Sequence, residues 1–340
     1  MNNDFEQNLI VGDKQNILPE KLKNNHGLIF FLYVFLTILL FTLFFLLYKN
    51  DIQNKTSINT EVYKPAENKI FNNLILDSRA VMVWDVSKGE EIYSRNAEAQ
   101  LPLASLTKVM MAVTALSLVS EETTITIQNE DLLEEGDSGL KLKENWTLGD
   151  LIDFILIVSS NDGAMAVANT ISSQIKEGGT SEDFVEMMNR KASEIGLSQT
   201  YFTSPSGLDN KNIIAGGVGS VRDMVILFEY TMKNFPHSME VTTYPSLEVI
   251  SLDSFKHKAR NTNDLVGKLP GLTASKTGFT DLAGGNLVVA FEPEPGRTIV
   301  LAVLGSTQEG RFSDIEKLYL TTLDYLNLKI KPLLGHIIAN

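Results

Sequence analysis

The uncharged apolar run at residues 28–48 is the feature that most constrains how this chain can fold. It reads LIFFLYVFLTILLFTLFFLLY, 21 residues in which two threonines are the only clear polar interruptions. A segment in hydrocarbon has to satisfy its backbone hydrogen bonds internally, so a run of this length predicts one transmembrane helix. A buried core helix and a cleaved signal peptide are the alternatives. The signal peptide is disfavoured because the run is longer than a signal's apolar region and no small-residue cleavage site follows at 49–51.

The segments on either side of this run are polar. Residues 1–27 form a leader, and residues 49–73, rich in Asn, Lys, Thr, Ser and Glu, predict a flexible tether. A tether of this length would hold a folded domain roughly 25–30 Å from its anchor. Lysines lie on both sides of the run, so the positive-inside count does not decide the orientation, which has to come from function.

Residues 74–328 carry the patterns of a folded domain. A Ser-Lys-Gly-Glu turn between two apolar stretches predicts a hairpin near the start, and Glu292-Pro-Glu-Pro-Gly-Arg297 predicts a second hairpin near the end. Strands at both ends with helices between them predict an α+β fold in which the terminal segments share one sheet. The predicted strands are 80–86, 91–93, 286–291 and 298–305, the predicted helices are 107–119, 148–159, 184–195 and 315–326, and a short tail covers 329–340.

Composition excludes several classes of function. Cysteine is absent, so a disulfide framework, a thiolate zinc site and a cysteine nucleophile cannot exist. The formal net charge of −13 argues against a nucleic-acid partner, because such proteins concentrate positive charge. The four histidines stand singly in no metal-binding spacing, and no Gly-x-Ser-x-Gly elbow occurs. No metal and no cofactor are therefore expected, and a histidine-based α/β-hydrolase is disfavoured.

Three short motifs occur in order along the domain: Ser105-Leu-Thr-Lys108, Ser159-Ser-Asn161 and Lys276-Thr-Gly278. Each alone is weak, since Ser173-Gln-Ile-Lys176 also satisfies the first pattern. Sequence context distinguishes the three motifs from chance matches, because Ser105 opens an apolar helix, Ser159 ends one and Lys276 precedes a hairpin. The ordered set is that of penicillin-binding proteins and serine β-lactamases.

The first motif has a physical rationale. A serine and a lysine three residues apart on a helix share one face, so Lys108 can reach the Ser105 hydroxyl. The helix N-terminus supplies N–H groups and a positive dipole end for a developing oxyanion. An ordinary lysine is protonated at neutral pH and cannot act as a base. Burial together with a second cation, for which Lys276 is the natural candidate, would depress the pKa of Lys108.

Residues 74–326 resemble the low-molecular-weight D-alanyl-D-alanine carboxypeptidases, serine peptidases that trim peptidoglycan stem peptides. Besides the three motifs, the resemblance lies in the surrounding segments AVMVWD (80–85), LPLASLTK (101–108), SND (160–162), FTSPSGL (202–208), RDM (222–224), NTN (261–263), KTGFT (276–280) and GR (310–311). It implies a mostly antiparallel sheet flanked by helices, with a helical subdomain that carries the Ser-x-Asn motif.

The resemblance also implies residue roles. Ser105 would attack the D-Ala-D-Ala carbonyl while Lys108 takes its proton, and Ser159 would relay a proton to the leaving amine. Asn161 would hold the substrate amide. The rest of the substrate-binding set is Lys276, Thr277, Gly278, Phe279 and Arg311. Within that set, Lys276, Thr277 and Arg311 would meet the terminal carboxylate, and the N–H groups of Ser105 and Phe279 would hold the oxyanion.

This resemblance implies stem peptides ending in D-Ala-D-Ala as the substrate and β-lactams as covalent inhibitors. The catalytic domain would then lie outside the cell membrane, and leader 1–27 would be cytoplasmic. Two departures bear on substrate preference: Ala274 stands where many relatives have glycine, and Phe279 where they have histidine or tyrosine. Many relatives also have a C-terminal β-rich domain and amphipathic anchor, whereas only 329–340 follow here, so the N-terminal helix is expected to replace that anchor.

Three other functions remain open. A D,D-endopeptidase that cleaves cross-links would use the same chemistry with another leaving group. A β-lactamase would share the motifs, but no Glu-x-x-Leu-Asn type segment for rapid deacylation lies between Asn161 and Lys276. A non-catalytic penicillin-binding scaffold has no requirement to keep the serines and lysines of the motifs together.

Overall fold

The computed structural model describes residues 30–43, 69–210 and 214–338, with side chains up to 327. The chain divides into two compact units, Met1–Lys64 and Pro65–Asn340. In the first unit, residues 30–43 are helical. Among the described residues no helix is both long and apolar enough to cross a membrane. The remainder of the predicted anchor, 28–29 and 44–48, lies outside the described residues, as do leader 1–27 and most of the predicted tether.

The second unit alternates helices with strands. The helices are α1 (Lys69–Asn72), α2 (Thr107–Leu118), α3 (Leu148–Val158), α4 (Asn161–Ile175), α5 (Ser181–Ile195), α6 (Val221–Asn234), α7 (Pro236–Glu240) and α8 (Gly310–Ile338). The strands are β1 (Ala80–Asp85), β2 (Glu90–Arg95), β3 (Leu101–Pro102), β4 (Thr124–Thr126), β5 (Asn145–Thr147), β6 (Tyr201–Phe202), β7 (Gly217–Gly219), β8 (Ser246–Ile250), β9 (Lys256–Arg260), β10 (Leu272–Thr280), β11 (Gly284–Glu294) and β12 (Arg297–Ser306).

A five-stranded antiparallel sheet of order β10-β11-β12-β1-β2 forms the centre of this unit. The first strand, β1, pairs with the last strand, β12, and also with β2, as the sequence predicts for terminal segments that share one sheet. Strand β10 lies at an edge, so one side of its backbone is open to the helical region. The predicted α+β class, an antiparallel sheet flanked by helices, is confirmed.

Both faces of the sheet are buried, and strand alternation assigns each residue to one face. In β1, Ala80 and Met82 pack with the helices α2 to α6, whereas Val81 and Val83 pack with α8. Successive side chains in a strand point to opposite faces. Strands covered on both faces read as continuous apolar runs, which is why β11 and β12 show little alternation.

Helix α2 is the centre of the helical region. Residues from Thr107 to Ala115 are all buried, and a helix that is buried on every side has no polar face. Thr147 is the N-cap of helix α3, and its hydroxyl accepts a hydrogen bond from the Asp150 N–H at 3.1 Å, as predicted from the sequence. This packing fixes where α2 begins and where α3 ends, and the site is built from those two ends.

Two boundaries differ from the sequence prediction. Helix α1 lies inside the segment predicted as tether, because Phe71 is fully buried and stacks on Tyr93 with ring centroids 4.9 Å apart. The folded unit therefore begins before residue 74. Helix α8 continues to Ile338, past the predicted helix end at 326 and the predicted domain end at 328. The small sheets β3-β7-β6, β4-β5 and β8-β9 were not predicted, because their strands are too short to show a period.

Candidate active site

Ser105 lies in a tight corner before α2, in the 3-10 turn Ala104–Leu106. Ala104 has a φ of 49°, a left-handed conformation that is strained for a residue with a Cβ. Gly207 packs directly behind this corner, and a Cβ there would lie 2.1 Å from the Ala104 carbonyl oxygen. The corner leaves Ser105 partly exposed, while its neighbours Ala104 and Leu106 are buried.

Lys108 is fully buried, one turn after Ser105. Its ammonium nitrogen lies 2.9 Å from Ser105 Oγ, 2.6 Å from Asn161 Oδ1 and 2.6 Å from the Ser206 carbonyl oxygen. Burial holds the pKa of Lys108 well below its ordinary value, the Lys276 charge lowers this pKa further, and Glu134 opposes both. The nearby Ser105 hydroxyl therefore faces an amine that is able to accept a proton.

The second motif forms the junction between α3 and α4. Ser159 ends α3 with a φ of 65°, and Ser160 caps α4 by accepting the Gly163 N–H at 2.9 Å. This left-handed turn points the Ser159 hydroxyl toward β10 while Asn161 begins the next helix. The Asn161 amide donates to the Glu135 carbonyl oxygen at 2.6 Å, so its Oδ1 is turned toward Lys108.

Lys276 lies in edge strand β10 and is nearly fully buried. Its ammonium nitrogen lies 2.9 Å from Ser159 Oγ and 2.9 Å from the Thr277 carbonyl oxygen. Burial, followed by the Arg311 charge, lowers the pKa of Lys276 to about 7. The Thr277 hydroxyl lies 2.6 Å from that of Thr262. Lys276 thus connects β10 to the end of α3.

Gly278 allows β10 to approach the Ser105 corner. A Cβ on Gly278 would lie 2.8 Å from the Leu103 carbonyl oxygen and 3.3 Å from the Ser105 nitrogen. The next side chain, Phe279, is 41% exposed and leaves the core. Arg311 is buried on the other side and donates from Nη1 to the Gly278 carbonyl oxygen at 2.8 Å. Its predicted contact with a substrate carboxylate remains a prediction.

The structure brings the three motifs together in one cleft. Lys108 joins Ser105 to Asn161, and Lys276 joins Ser159 to β10. A hydroxyl, a buried amine with lowered pKa and a second cation are the groups needed to form and transfer an acyl ester. The second match to the Ser-x-x-Lys pattern, Ser173 to Lys176, is called the decoy motif here. Its serine and lysine are both exposed, and Lys176 pairs with Asp183 at 2.5 Å.

Sequence reasoning assigned no role to three groups that contact the site. They are the Ser206 carbonyl on Lys108, the Glu135 carbonyl on Asn161 and the Thr262 hydroxyl on Thr277. Ser206 and Thr262 lie in segments that carried the family resemblance, which was the available signal. The two carbonyl contacts depend on backbone position, for which the residue type gives no signal.

Glu134 gives a testable effect on the base. Glu134→Gln removes a negative charge that raises the pKa of Lys108, so this pKa should fall. The acid limb of the pH–rate profile for acylation, where the rate drops as Lys108 is protonated, should therefore move to lower pH. The measurement is the second-order rate of acylation by a β-lactam across pH. Glu135→Gln is the matched control, since its side chain is not among the causes of the Lys108 shift. An acid limb that stays in place for Glu134→Gln, or moves equally for both, would contradict the assigned interaction.

Comparison with known proteins places this cleft in a family. The model of peptidase family S11, described as D-alanyl-D-alanine carboxypeptidase, matches residues 67–308. The chain belongs to the D-alanyl-D-alanine carboxypeptidase family. It is thus a serine-type peptidase by class, and the resemblance read from the motifs is confirmed. The matched range contains every predicted site residue of the cleft except Arg311.

Individual members of the family show the extent of the similarity. The carboxypeptidase DacB2 of Mycobacterium tuberculosis is 31% identical over 67% of this chain and 75% of its own length. A D-alanyl-D-alanine endopeptidase of Pseudomonas aeruginosa is 29% identical over 68% of this chain and 73% of its own. The structure of penicillin-binding protein D2 from Listeria monocytogenes with ampicillin bound is similar as well, with 31% sequence identity and a TM-score of 0.61. The match covers 73% of this chain and 98% of the Listeria chain.

Proposed function

We propose that this chain is a membrane-anchored serine D,D-carboxypeptidase that removes the terminal D-alanine from peptidoglycan stem peptides. One observation carries the mechanism: the buried Lys108 amine, with its lowered pKa, lies 2.9 Å from the Ser105 hydroxyl. A general base has to be within hydrogen-bond distance of the proton it takes and has to be neutral at working pH. Lys108 meets the first condition, and burial holds its pKa well below the ordinary value, which favours the second.

Acylation then follows from this geometry. Ser105 Oγ adds to the carbonyl carbon between the two D-alanines as its proton passes to Lys108. The oxyanion is held by N–H groups beside the corner, those of Ser105 and Phe279. When the C–N bond breaks, the proton held by Lys108 passes to the leaving amine through the Ser159 hydroxyl, which is bonded to Lys276, so Lys108 is neutral again. The products are free D-alanine and an ester on Ser105.

Deacylation reverses these proton movements. Once D-alanine has left, a water molecule occupies its position, gives a proton to Lys108 and attacks the ester carbon. The C–O bond breaks and Ser105 recovers a proton from Lys108. No other residue is needed for atoms and charge to balance. Lys108 thus serves as base in both half-reactions, which its low pKa permits.

Substrate recognition is proposed for the β10 side of the cleft. Lys276, Thr277 and Arg311 provide two cations and a hydroxyl beside the scissile bond, and a terminal carboxylate carries the complementary charge. Asn161 would hold the substrate amide. Strand β10 lies at the edge of the sheet, so its backbone is able to pair with an extended peptide. These groups select a C-terminal residue over an internal one.

The extracytoplasmic position is part of the proposal. Peptidoglycan lies outside the cell membrane, so the apolar run 28–48 would anchor the chain with leader 1–27 in the cytoplasm and the catalytic unit outside. Protease treatment of intact spheroplasts is expected to digest the catalytic unit. Survival of this unit in intact spheroplasts, with digestion only after lysis, would reverse the proposed orientation.

Endopeptidase action on cross-links is a second candidate, because relatives of similar identity are named endopeptidases. The two activities differ in the leaving group. Free D-alanine released from a synthetic stem peptide indicates a carboxypeptidase, and cleavage of a cross-linked dimer without D-alanine release indicates an endopeptidase.

The acyl-enzyme is expected to be directly visible. A β-lactam resembles the acyl-D-Ala-D-Ala unit, but its leaving amine stays tethered in the adduct and obstructs water, so the ester on Ser105 should persist. Intact-mass spectrometry after mixing with penicillin should show the adduct, and Ser105→Ala should abolish it. Ser173→Ala, in the exposed decoy motif, is the control and should behave like the unaltered protein. Rapid return to the unmodified mass with consumption of penicillin would indicate a β-lactamase, and no adduct would favour a scaffold.

A further inference from the structure

The β8–β9 hairpin has one buried and one exposed face. Directly paired residues share a face, so Val249, His257 and Ala259 point inward and are buried. The outward face combines Ile250 with cations: the exposed members of β9 are Lys256, Lys258 and Arg260. The hairpin therefore presents a basic surface with apolar side chains at its tip.

The loop before β5 continues this surface. The Lys141 ammonium lies 3.8 Å from the ring centroid of Phe255, and the Leu252 N–H donates to the Asn145 carbonyl oxygen at 2.9 Å. We define the hairpin patch by its cations and its apolar residues. The cations are Lys141, Lys143, Lys256, Lys258 and Arg260. The apolar residues are Leu142, Ile250, Leu252 and Phe255, which are 50%, 49%, 55% and 40% exposed.

The charge of the hairpin patch is opposite to that of the chain. Its five cations are accompanied by two exposed acids, Glu248 and Asp253, whereas the whole chain carries −13. Within the described part of the chain, Lys256 is the only one of the five in an ion pair, with Glu248 at 2.9 Å. The other cations are thus available to an anionic partner.

The hairpin patch is held rigidly by the core beneath it. His257 Nε2 lies 2.7 Å from a Glu144 oxygen, and both side chains are buried. The ring of His257 packs against both Trp146 and Phe154, at centroid distances of 5.0 and 5.7 Å. Several large apolar side chains exposed together on a fixed surface indicate an interaction site.

We propose that the hairpin patch docks on the surface of an anionic lipid bilayer. Apolar side chains that enter the headgroup region, surrounded by lysine and arginine, are the combination that binds anionic membranes. The inference rests on the proposed anchoring, which keeps the unit close to a bilayer. Strand β9 leads directly to Thr262, which contacts Thr277 in the cleft. Docking would therefore fix how the cleft is oriented above the membrane.

A fluorescent label at the tip tests this docking in the full chain. The protein has no cysteine, so Leu252→Cys provides a unique attachment point for an environment-sensitive dye. The labelled chain is placed in nanodiscs of phosphatidylcholine alone or mixed with phosphatidylglycerol. We expect a several-fold rise in emission with a blue shift only in the anionic discs. Leu320→Cys, exposed on α8, is the control and should not respond.

Charge reversal separates lipid binding from other causes. Each lysine or arginine near an anionic surface strengthens binding about fivefold, so Lys258→Glu with Arg260→Glu should lower the equilibrium constant for docking at least about 25-fold. Equal responses at both label positions, or no response in anionic discs, would overturn docking. A fluorescence signal that grows with protein concentration in detergent would also overturn docking, because it indicates association with a second copy of the chain. A signal produced by soluble dextran sulfate in neutral discs would overturn it as well, because it indicates a polyanion site.

The proposed function has separate readouts in the same sample. Co-elution of the chain with the discs reports the anchor, and D-alanine release from a stem peptide reports the peptidase. A chain that is anchored and active but shows an unchanged label fails the docking proposal alone. A chain that is inactive or absent from the discs fails the proposed function.

Discussion

Lys108→Met is expected to lower the rate of Ser105 acylation by about 10³-fold or more, since general bases contribute about 10²–10⁴-fold. Methionine has a similar length but no proton acceptor of comparable strength, so it occupies the space of Lys108 without taking the proton from Ser105. The measurement is the second-order rate of acylation by a β-lactam, followed by intact mass. Lys176→Met, in the exposed decoy motif, is the matched control and should acylate normally.

The same variant also makes a prediction about stability. The folded-state pKa of Lys108 lies below its unfolded value, so the unfolded chain binds more protons between those two pKa values. The free energy of unfolding of the unaltered protein therefore gains from this residue as pH rises through that interval, and loses as pH falls through it. Lys108→Met removes this contribution, so its stability relative to the unaltered protein should improve as pH is lowered. Parallel stability curves for the two proteins would show that Lys108 has an ordinary pKa in the fold.

Gly278→Ala is expected to reduce catalysis about 10²-fold or more without unfolding the protein. The added Cβ would lie 2.8 Å from the Leu103 carbonyl oxygen, and this contact is with backbone, so β10 has to move away from the Ser105 corner. A displacement of about 1 Å in a catalytic site costs about 10²-fold. Overpacking of this kind costs about 1–3 kcal/mol, which is less than the stability of a typical domain.

The test of Gly278→Ala combines kinetics with thermal unfolding. D-alanine release and acylation by penicillin should both fall, while a single cooperative unfolding transition is retained at a lower temperature. Gly149→Ala, at the start of α3, is the control. A Cβ on Gly149 makes an ordinary 3.4 Å contact with the Glu121 side chain. Normal activity in Gly278→Ala would mean that β10 does not need to lie so close to Ser105.

Local patterns predicted much of the fold. The hairpins at both ends and helices α2, α3 and α5 lie within a few residues of their predicted positions, because apolar spacing and turn residues act over short distances. Phe71 was missed since one apolar residue in a polar segment has no period, and it packs against Tyr93 and Tyr325, which are distant in the chain. The two-residue strands β3 and β6 were missed for the same reason.

By itself, the sequence determined the pieces of the site that are close in the chain. The spacing of Ser105 and Lys108 puts both side chains on one side of a helix start, and Ser159 with Asn161 occupies a single junction between helices. The order of the three motifs and the segments around them determined the family. These features depend on residue type and short-range geometry, which the sequence states directly.

The tertiary structure alone decided how these pieces meet. Lys276 reaches Ser159 across 117 residues, and Lys108 reaches the Ser206 carbonyl across 98. The lowered pKa values of both lysines arise from burial first and from a neighbouring cation second, and burial is produced by packing of the whole domain. Lys176 has the same spacing from a serine as Lys108 but lies in solvent, where its charge costs nothing to keep. A lysine becomes a base only where the folded chain removes water from it.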